Sequence, residues 1–170
     1  VMMFSGIYPE NPKGLEVLTT RIEQAGAAGV PQVLTFGHTE GGYVQGGYGF
    51  SRGFREWTDT PYSDDTDVER TFGRGAAFLH SVKPDERFFL FLHTYTVHDP
   101  YWPPESYRRM FWPGPPPPGA GEPSGPHFAA VNNGLAETTP AAVEYFEALY
   151  DASIRHLDDR LRRFFGDLEA

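Results

Sequence analysis

A run of five consecutive apolar residues, Phe88 to Leu92, constrains the fold of this chain more than any other feature. Such a run directly after a helical pattern is typical of a strand buried on both faces, as in a parallel sheet with helices on each side. A second strand is predicted from Val33 to Phe36, and helices are predicted over residues 15–25 and 64–82. The order helix, strand, loop, helix, strand predicts an α/β fold.

The C-terminal part of the chain alternates between helical and proline-rich patterns. Pro103 and Pro104 predict the start of a short helix that continues to Phe111. A Pro/Gly-rich insert covers about residues 112–138, and its segment 113–126 is predicted to be extended. Thr139 then caps a long helix, whose predicted apolar face comprises Val143, Phe146, Leu149, Tyr150, Ile154, Leu157, Leu161, Phe164 and Leu168.

Composition excludes several classes of function. The formal net charge is −9, with 14 basic against 23 acidic residues, which argues against nucleic acid as a partner because phosphate binding needs clustered cations. The chain has no cysteine, so disulfides and thiolate metal sites within it are excluded. No apolar run reaches the ~18 residues of a membrane-spanning helix, so no membrane span is predicted. Nothing in the sequence predicts a compartment.

Polar residues follow both predicted strands, where ligands bind in open parallel sheets. The strand predicted from Phe88 to Leu92 is followed by His93, His98 and Asp99. A histidine at a strand end can bind an anion or transfer a proton near neutral pH. Thr39 and Glu40 follow the other strand and are the weaker candidates for contacts in the site. The structural alternative is that His93 is a core hydrogen-bonding residue and that His98 and Asp99 belong to a turn.

Metal binding by this chain is the least favoured interpretation of these residues. His93, His98 and Asp99 are suitable ligands, but a strand alternates its side chains and no further ligand is spaced nearby. The carboxylates of residues 64–67 are interpreted as helix-capping groups. His80, His127 and His156 stand alone in the sequence and are expected on the surface or in packing contacts.

Four blocks in the same order resemble the sulfatase family of the alkaline phosphatase superfamily. Residues 87–93 and 98–105, Arg-Phe-Phe-Leu-Phe-Leu-His and His-Asp-Pro-Tyr-Trp-Pro-Pro-Glu, look like the central block of that family. Residues 5–9, Ser-Gly-Ile-Tyr-Pro, are similar to the Thr-Gly-x-Tyr-Pro that follows the sulfatase nucleophile. Residues 48–54 resemble Phe-Gly-Phe-Asp-Arg-Gly-Phe, and residues 150–158 resemble Tyr-Asp-x-Glu-Ile-x-x-Val-Asp.

The resemblance implies a parallel-sheet sandwich of the alkaline phosphatase type and a hydrolase of sulfate esters. In sulfatases a Cys or Ser becomes formylglycine, whose hydrate attacks sulfur while Ca²⁺ holds the sulfate oxygens. The motif order implies that this nucleophile lies upstream of Val1 and that the calcium ligands also lie outside this chain. Residues 1–170 would then form part of a larger catalytic domain, and this part alone is expected to be inactive.

The resemblance also implies which residues contact the substrate, a small-molecule or glycan sulfate ester. His98 matches the histidine that sulfatases place against the sulfate, where it can bind an oxygen or assist the leaving group. Many sulfatases carry a Lys-x-His pair where this chain has His38, Thr39 and Glu40. This departure keeps two alternatives open, namely a phosphoesterase or phosphonate hydrolase of the same superfamily, and a catalytically silent domain that binds a ligand or partner.

Overall fold

The computed structural model describes residues 33–60 and 68–169 and divides the chain into two compact units. The first unit ends at Thr94 and the second begins at Tyr95. The predicted helix over residues 15–25, the block 5–9 and the capping carboxylates 64–67 lie outside the described residues. Within the described residues, no helix has both the length and the apolar character needed to cross a membrane.

A parallel three-stranded sheet is the centre of the first unit. Strands β1 (Val33–Thr39), β2 (Glu56–Asp59) and β3 (Arg87–His93) have the spatial order β2-β1-β3, and helix α1 (Val68–Ser81) precedes β3. Both pairings are parallel, and the register places Thr39 opposite Asp59 on one side and His93 on the other. The carboxyl ends of all three strands are therefore level. The predicted α/β class and parallel sheet are confirmed.

Two parts of the predicted sheet differ from the structure. The strand predicted from Val33 to Phe36 extends to Thr39. The segment after it contains two single-turn 3-10 helices (Gly42–Val44 and Gly46–Tyr48) and then the short strand β2, which was not predicted. Strand β3 was predicted to be buried on both faces. In the structure Phe91 is buried, but Phe88 is 48% exposed, so this part of the prediction is wrong.

Helix α1 covers one face of the sheet. The Phe78 ring stacks on Phe36 of β1 with ring centroids 5.0 Å apart, which fixes the helix against the central strand. Val68, Thr71, Gly75 and Phe78 are the buried positions of α1. The apolar pattern of the sequence places Val68, Phe72, Ala76 and Leu79 on one face of this helix, and of these four Val68 is buried while the other three are half-buried.

An aromatic cluster lies on the face of the sheet to which Gly37 belongs. The Trp57 ring stacks with Phe91 at 5.9 Å between centroids and meets Phe54 edge-on at 4.9 Å. A Cβ atom built on Gly37 would overlap the Trp57 ring. Glycine is therefore required here by the close approach of a side chain, since an extended strand needs no special backbone conformation.

This contact predicts opposite effects for two Gly→Ala substitutions in the first unit. Gly37→Ala should lower the free energy of unfolding by about 2 kcal/mol, because the held Trp57 ring cannot move away from the new methyl group. Gly73→Ala should raise it by roughly 0.5–1 kcal/mol, because a Cβ there meets no atom within 4 Å and alanine favours the helix interior. Urea denaturation measures both, and a stabilised Gly37→Ala variant would contradict the described packing.

Three helices form the second unit. Helices α2 (Glu105–Phe111), α3 (Gly125–Asn132) and α4 (Pro140–Glu169) follow in chain order, and α2 packs on α4. The predicted start of α4 is confirmed, since Thr139 Oγ1 accepts a hydrogen bond from the Ala142 N–H at 3.1 Å. The segment predicted to be extended ends earlier than expected, because α3 begins at Gly125 and holds Pro126 in its first turn, where no N–H is required.

The core of the second unit lies along one side of α4. Ala142, Tyr145 and Leu149 of that helix pack with Ala120, while Trp112 contacts the Tyr145 ring at 5.4 Å between centroids. The predicted apolar face of α4 is only partly buried, with Val143, Tyr150, Ile154 and Leu168 each at least 40% exposed. The most completely buried positions of α4 instead carry small residues, namely Ala142, Ala152 and Ser153.

Candidate functional site

The carboxyl edge of the sheet is the candidate site of the first unit. Thr39, Asp59 and His93 end the three strands at one level. The edge is held together beyond the strands, since the Glu40 N–H donates to the His93 carbonyl at 3.3 Å and the Thr60 N–H donates to the Thr39 carbonyl at 2.8 Å. Thr39 and Glu40 therefore lie at this edge, as predicted from their position at the end of a strand.

Glu40 is a buried carboxylate with both oxygens in hydrogen bonds. Its Oε1 accepts from the Thr71 hydroxyl at 2.7 Å, and its Oε2 accepts from the Thr94 hydroxyl at 3.0 Å. Glu40 is 5% exposed and Thr71 is fully buried. The carboxylate thus links the end of β1 to α1 and to the residue after β3, which fixes the shape of the edge.

Thr39 is joined to Asp59, a residue that the sequence did not single out. The buried Thr39 hydroxyl donates to Asp59 Oδ1 at 2.8 Å and accepts from the Gly41 N–H at 3.3 Å. Asp59 also accepts from Trp57 Nε1 at 2.7 Å and from the Gly46 N–H at 3.0 Å. The Asp59 carboxylate therefore connects β1, β2 and the glycine-rich loop that follows Glu40. Unlike Thr39 and Glu40, Asp59 is exposed.

His38 is a buried histidine beside this edge. Its Nδ1 lies 2.7 Å from the Thr58 hydroxyl, and its Nε2 has no hydrogen-bond partner among the described residues. Burial lowers the pKa of His38 and the nearby Arg74 lowers it further, against smaller raising effects of the Thr58 hydrogen bond and the Glu40 and Asp59 carboxylates. The ring is therefore held in its neutral form near pH 7.

The lowered pKa values predict how the stability of the first unit depends on pH. Burial lowers the pKa of both His38 and His93 below the usual value of 6.5. The unfolded chain then binds more protons than the folded one, so the free energy of unfolding should fall as the pH drops below 6.5, by at most about 1.4 kcal/mol per pH unit for each histidine. A His38→Gln, His93→Gln double variant should show a smaller slope in urea denaturation between pH 6.5 and 5. An unchanged slope would contradict this prediction.

His98 lies in the second unit, in the turn that follows Thr94. The backbone N–H of His98 donates to the Tyr95 carbonyl at 2.7 Å, and the His98 ring meets the Tyr95 ring edge-on with centroids 5.3 Å apart. His98 Nδ1 lies 2.8 Å from the Asp99 backbone carbonyl, which can only accept, so Nδ1 carries a hydrogen. The side chain is 54% exposed and Nε2 has no hydrogen-bond partner among the described residues, so Nε2 is available to a ligand.

The Asp99 carboxylate supports the same ring. Its Oδ1 lies 3.4 Å from His98 Nδ1, so the protonated ring would form an ion pair there. A Cβ on Gly125 would collide with the Asp99 carboxylate, so glycine at the first position of α3 leaves space for it. The position and orientation of His98 are thus determined by its own turn and by the start of a helix.

Two of the isolated histidines are packing residues, and the described residues do not support metal binding by His93, His98 and Asp99. The His127 ring packs against Phe128 and Phe146, and His156 packs against Tyr107, as packing residues do. Among the described residues no three His, Asp or Glu side chains form a group that could hold a metal ion. The ligand set of His93, His98 and Asp99 therefore gains no support.

The chain was compared with protein-family models, with curated proteins and with solved structures, and none of them matched it.

Proposed function

We propose that this chain is part of a hydrolase of sulfate esters, with the parallel-sheet sandwich of the alkaline phosphatase type as its complete fold. The observation that carries the proposal is the orientation of His98. Its Nδ1 hydrogen is held by the Asp99 carbonyl at 2.8 Å, which leaves an exposed Nε2 on the residue that matches the sulfatase histidine. The parallel sheet, with polar residues at its carboxyl edge, is compatible with that fold.

The role of His98 follows from the two protonation states of its ring. In the protonated ring both nitrogens carry hydrogen, so Nδ1 stays on Asp99 while Nε2 donates to a sulfate oxygen or to the ester oxygen. When the sulfur–oxygen bond of the ester breaks, the departing alkoxide takes the Nε2 proton and becomes an alcohol. The Asp99 carboxylate 3.4 Å from Nδ1 would stabilise the charged ring before this transfer.

The described residues supply neither a calcium site nor the lysine of the Lys-x-His pair. Among them, no three His, Asp or Glu side chains form a group that could hold the metal ion. The lysine of the Lys-x-His pair is absent from this chain, and His38 nearby does not replace its positive charge, because burial lowers the pKa of the His38 ring. Sulfate binding would therefore depend more on His98 and on groups outside this chain than in sulfatases with the Lys-x-His pair.

The identity of the nucleophile tests the proposal. We expect the longer protein to contain formylglycine in the peptide immediately upstream of Val1, which mass spectrometry detects as an aldehyde that reacts with hydrazides. An unmodified threonine in that place would instead indicate the phosphoesterase alternative. Loss of both the nucleophile and the acidic metal ligands would indicate the catalytically silent alternative.

A further inference from the structure

A cavity of about 570 Å³ lies within the second unit, beside helices α3 and α4. Four aromatic rings line it, and three contacts connect them. The Tyr101 ring lies 5.7 Å from Phe128 and 5.4 Å from Tyr150, and Phe128 lies 5.1 Å from Phe146, all between centroids. The size is that of a small-molecule site.

Two carboxylates give this cavity a negative charge. Glu147 and Asp151 lie one turn apart on α4 and both line the cavity, whereas no Lys or Arg is among its lining residues. Neither carboxylate forms an ion pair with a described residue. Burial raises the pKa of the Tyr101 phenol, and the nearby Asp99 carboxylate raises it further.

We propose that this cavity binds a small organic cation with an apolar body, such as an aralkyl or quaternary ammonium group. Aromatic faces attract such a cation through their quadrupoles, while the apolar body is removed from water. Glu147 and Asp151 favour a cation over a neutral or anionic ligand of the same shape.

Three small ligands test the binding site without reference to catalysis. Benzyltrimethylammonium, the neutral benzyl alcohol and the anionic benzenesulfonate are titrated into the 170-residue chain by NMR or calorimetry at low salt. The cation should bind about tenfold more tightly than the alcohol, and the sulfonate should not bind measurably. Equal affinity for cation and alcohol, or no binding of the cation, would overturn the proposal.

A charge-matched pair of variants locates the site. Glu147→Gln with Asp151→Asn should remove the preference for the cation and leave the affinity for benzyl alcohol unchanged. Glu144→Gln with Asp167→Asn removes the same charge from exposed positions of α4 outside the cavity, and it should keep at least half of that preference. If the two double variants lose the preference for the cation equally, the cation is attracted by the net charge of the chain alone, and the proposed site is overturned. Because these are binding measurements, their outcome is separate from whether the ester is hydrolysed.

Discussion

The His98→Ala variant of the longer protein is expected to lose about a hundredfold to ten-thousandfold in turnover of an aryl sulfate. The physical reason is the geometry of one ring, since Nδ1 is fixed on the Asp99 carbonyl and only Nε2 remains for the ester. The exposed ring contributes little to the core, so thermal unfolding of the variant should resemble that of the unsubstituted protein. Unchanged turnover would remove the role assigned to His98.

A leaving-group series distinguishes the two roles that His98 can have. If Nε2 protonates the departing alkoxide, the loss in His98→Ala should be larger for phenyl sulfate than for 4-nitrophenyl sulfate, whose phenoxide needs less assistance. If Nε2 only binds a sulfate oxygen, the losses should be equal and His98→Gln should restore part of the rate through its amide N–H. Turnover numbers for both esters in all three proteins decide between these results.

The Glu40→Ala variant is expected to lose about 3 kcal/mol of the free energy of unfolding. Two hydrogen bonds to a charged acceptor are removed, and the fully buried Thr71 hydroxyl loses the partner that it has at 2.7 Å. The substitution also leaves an unfilled space at the carboxyl edge of the sheet. Urea denaturation of the 170-residue chain measures the change.

Two further variants make this result specific. Glu56→Ala removes an exposed carboxylate from β2 and should change stability by less than about 0.5 kcal/mol. Thr71→Val keeps the shape but removes the hydroxyl, so its effect and that of Glu40→Ala should not add in the double variant. Additive effects, or a loss in Glu40→Ala no larger than in Glu56→Ala, would show that Glu40 does not hold the edge.

The elements that the sequence predicted are those with strong local patterns. The apolar runs around Val33 and Phe88 predicted two strands, and Thr139 with Pro140 predicted the start of α4. Strand β2 was missed because four residues, Glu56–Asp59, are too few to show a period. The buried stripes of α1 and α4 were predicted in part, since Val68, Leu149 and Phe164 are buried. Gly75 and Ala152 were missed because hydrophobicity patterns rank small side chains low.

The candidate site was predictable only where a single strand end defines it. Thr39 and Glu40 were found because β1 ends there, but their partners Asp59, Thr71 and Thr94 come from other elements that only the folded chain brings to the edge. The role of His98 stays a prediction, supported by the orientation of its ring.

The most direct test of the proposed function is the release of sulfate by the longer protein. With calcium present, it should release sulfate from 4-nitrophenyl sulfate faster than phosphate from 4-nitrophenyl phosphate, and a chelator should stop the release. Release of phosphate alone, or of neither ion, would contradict sulfate ester hydrolysis as the function of this chain's parent protein.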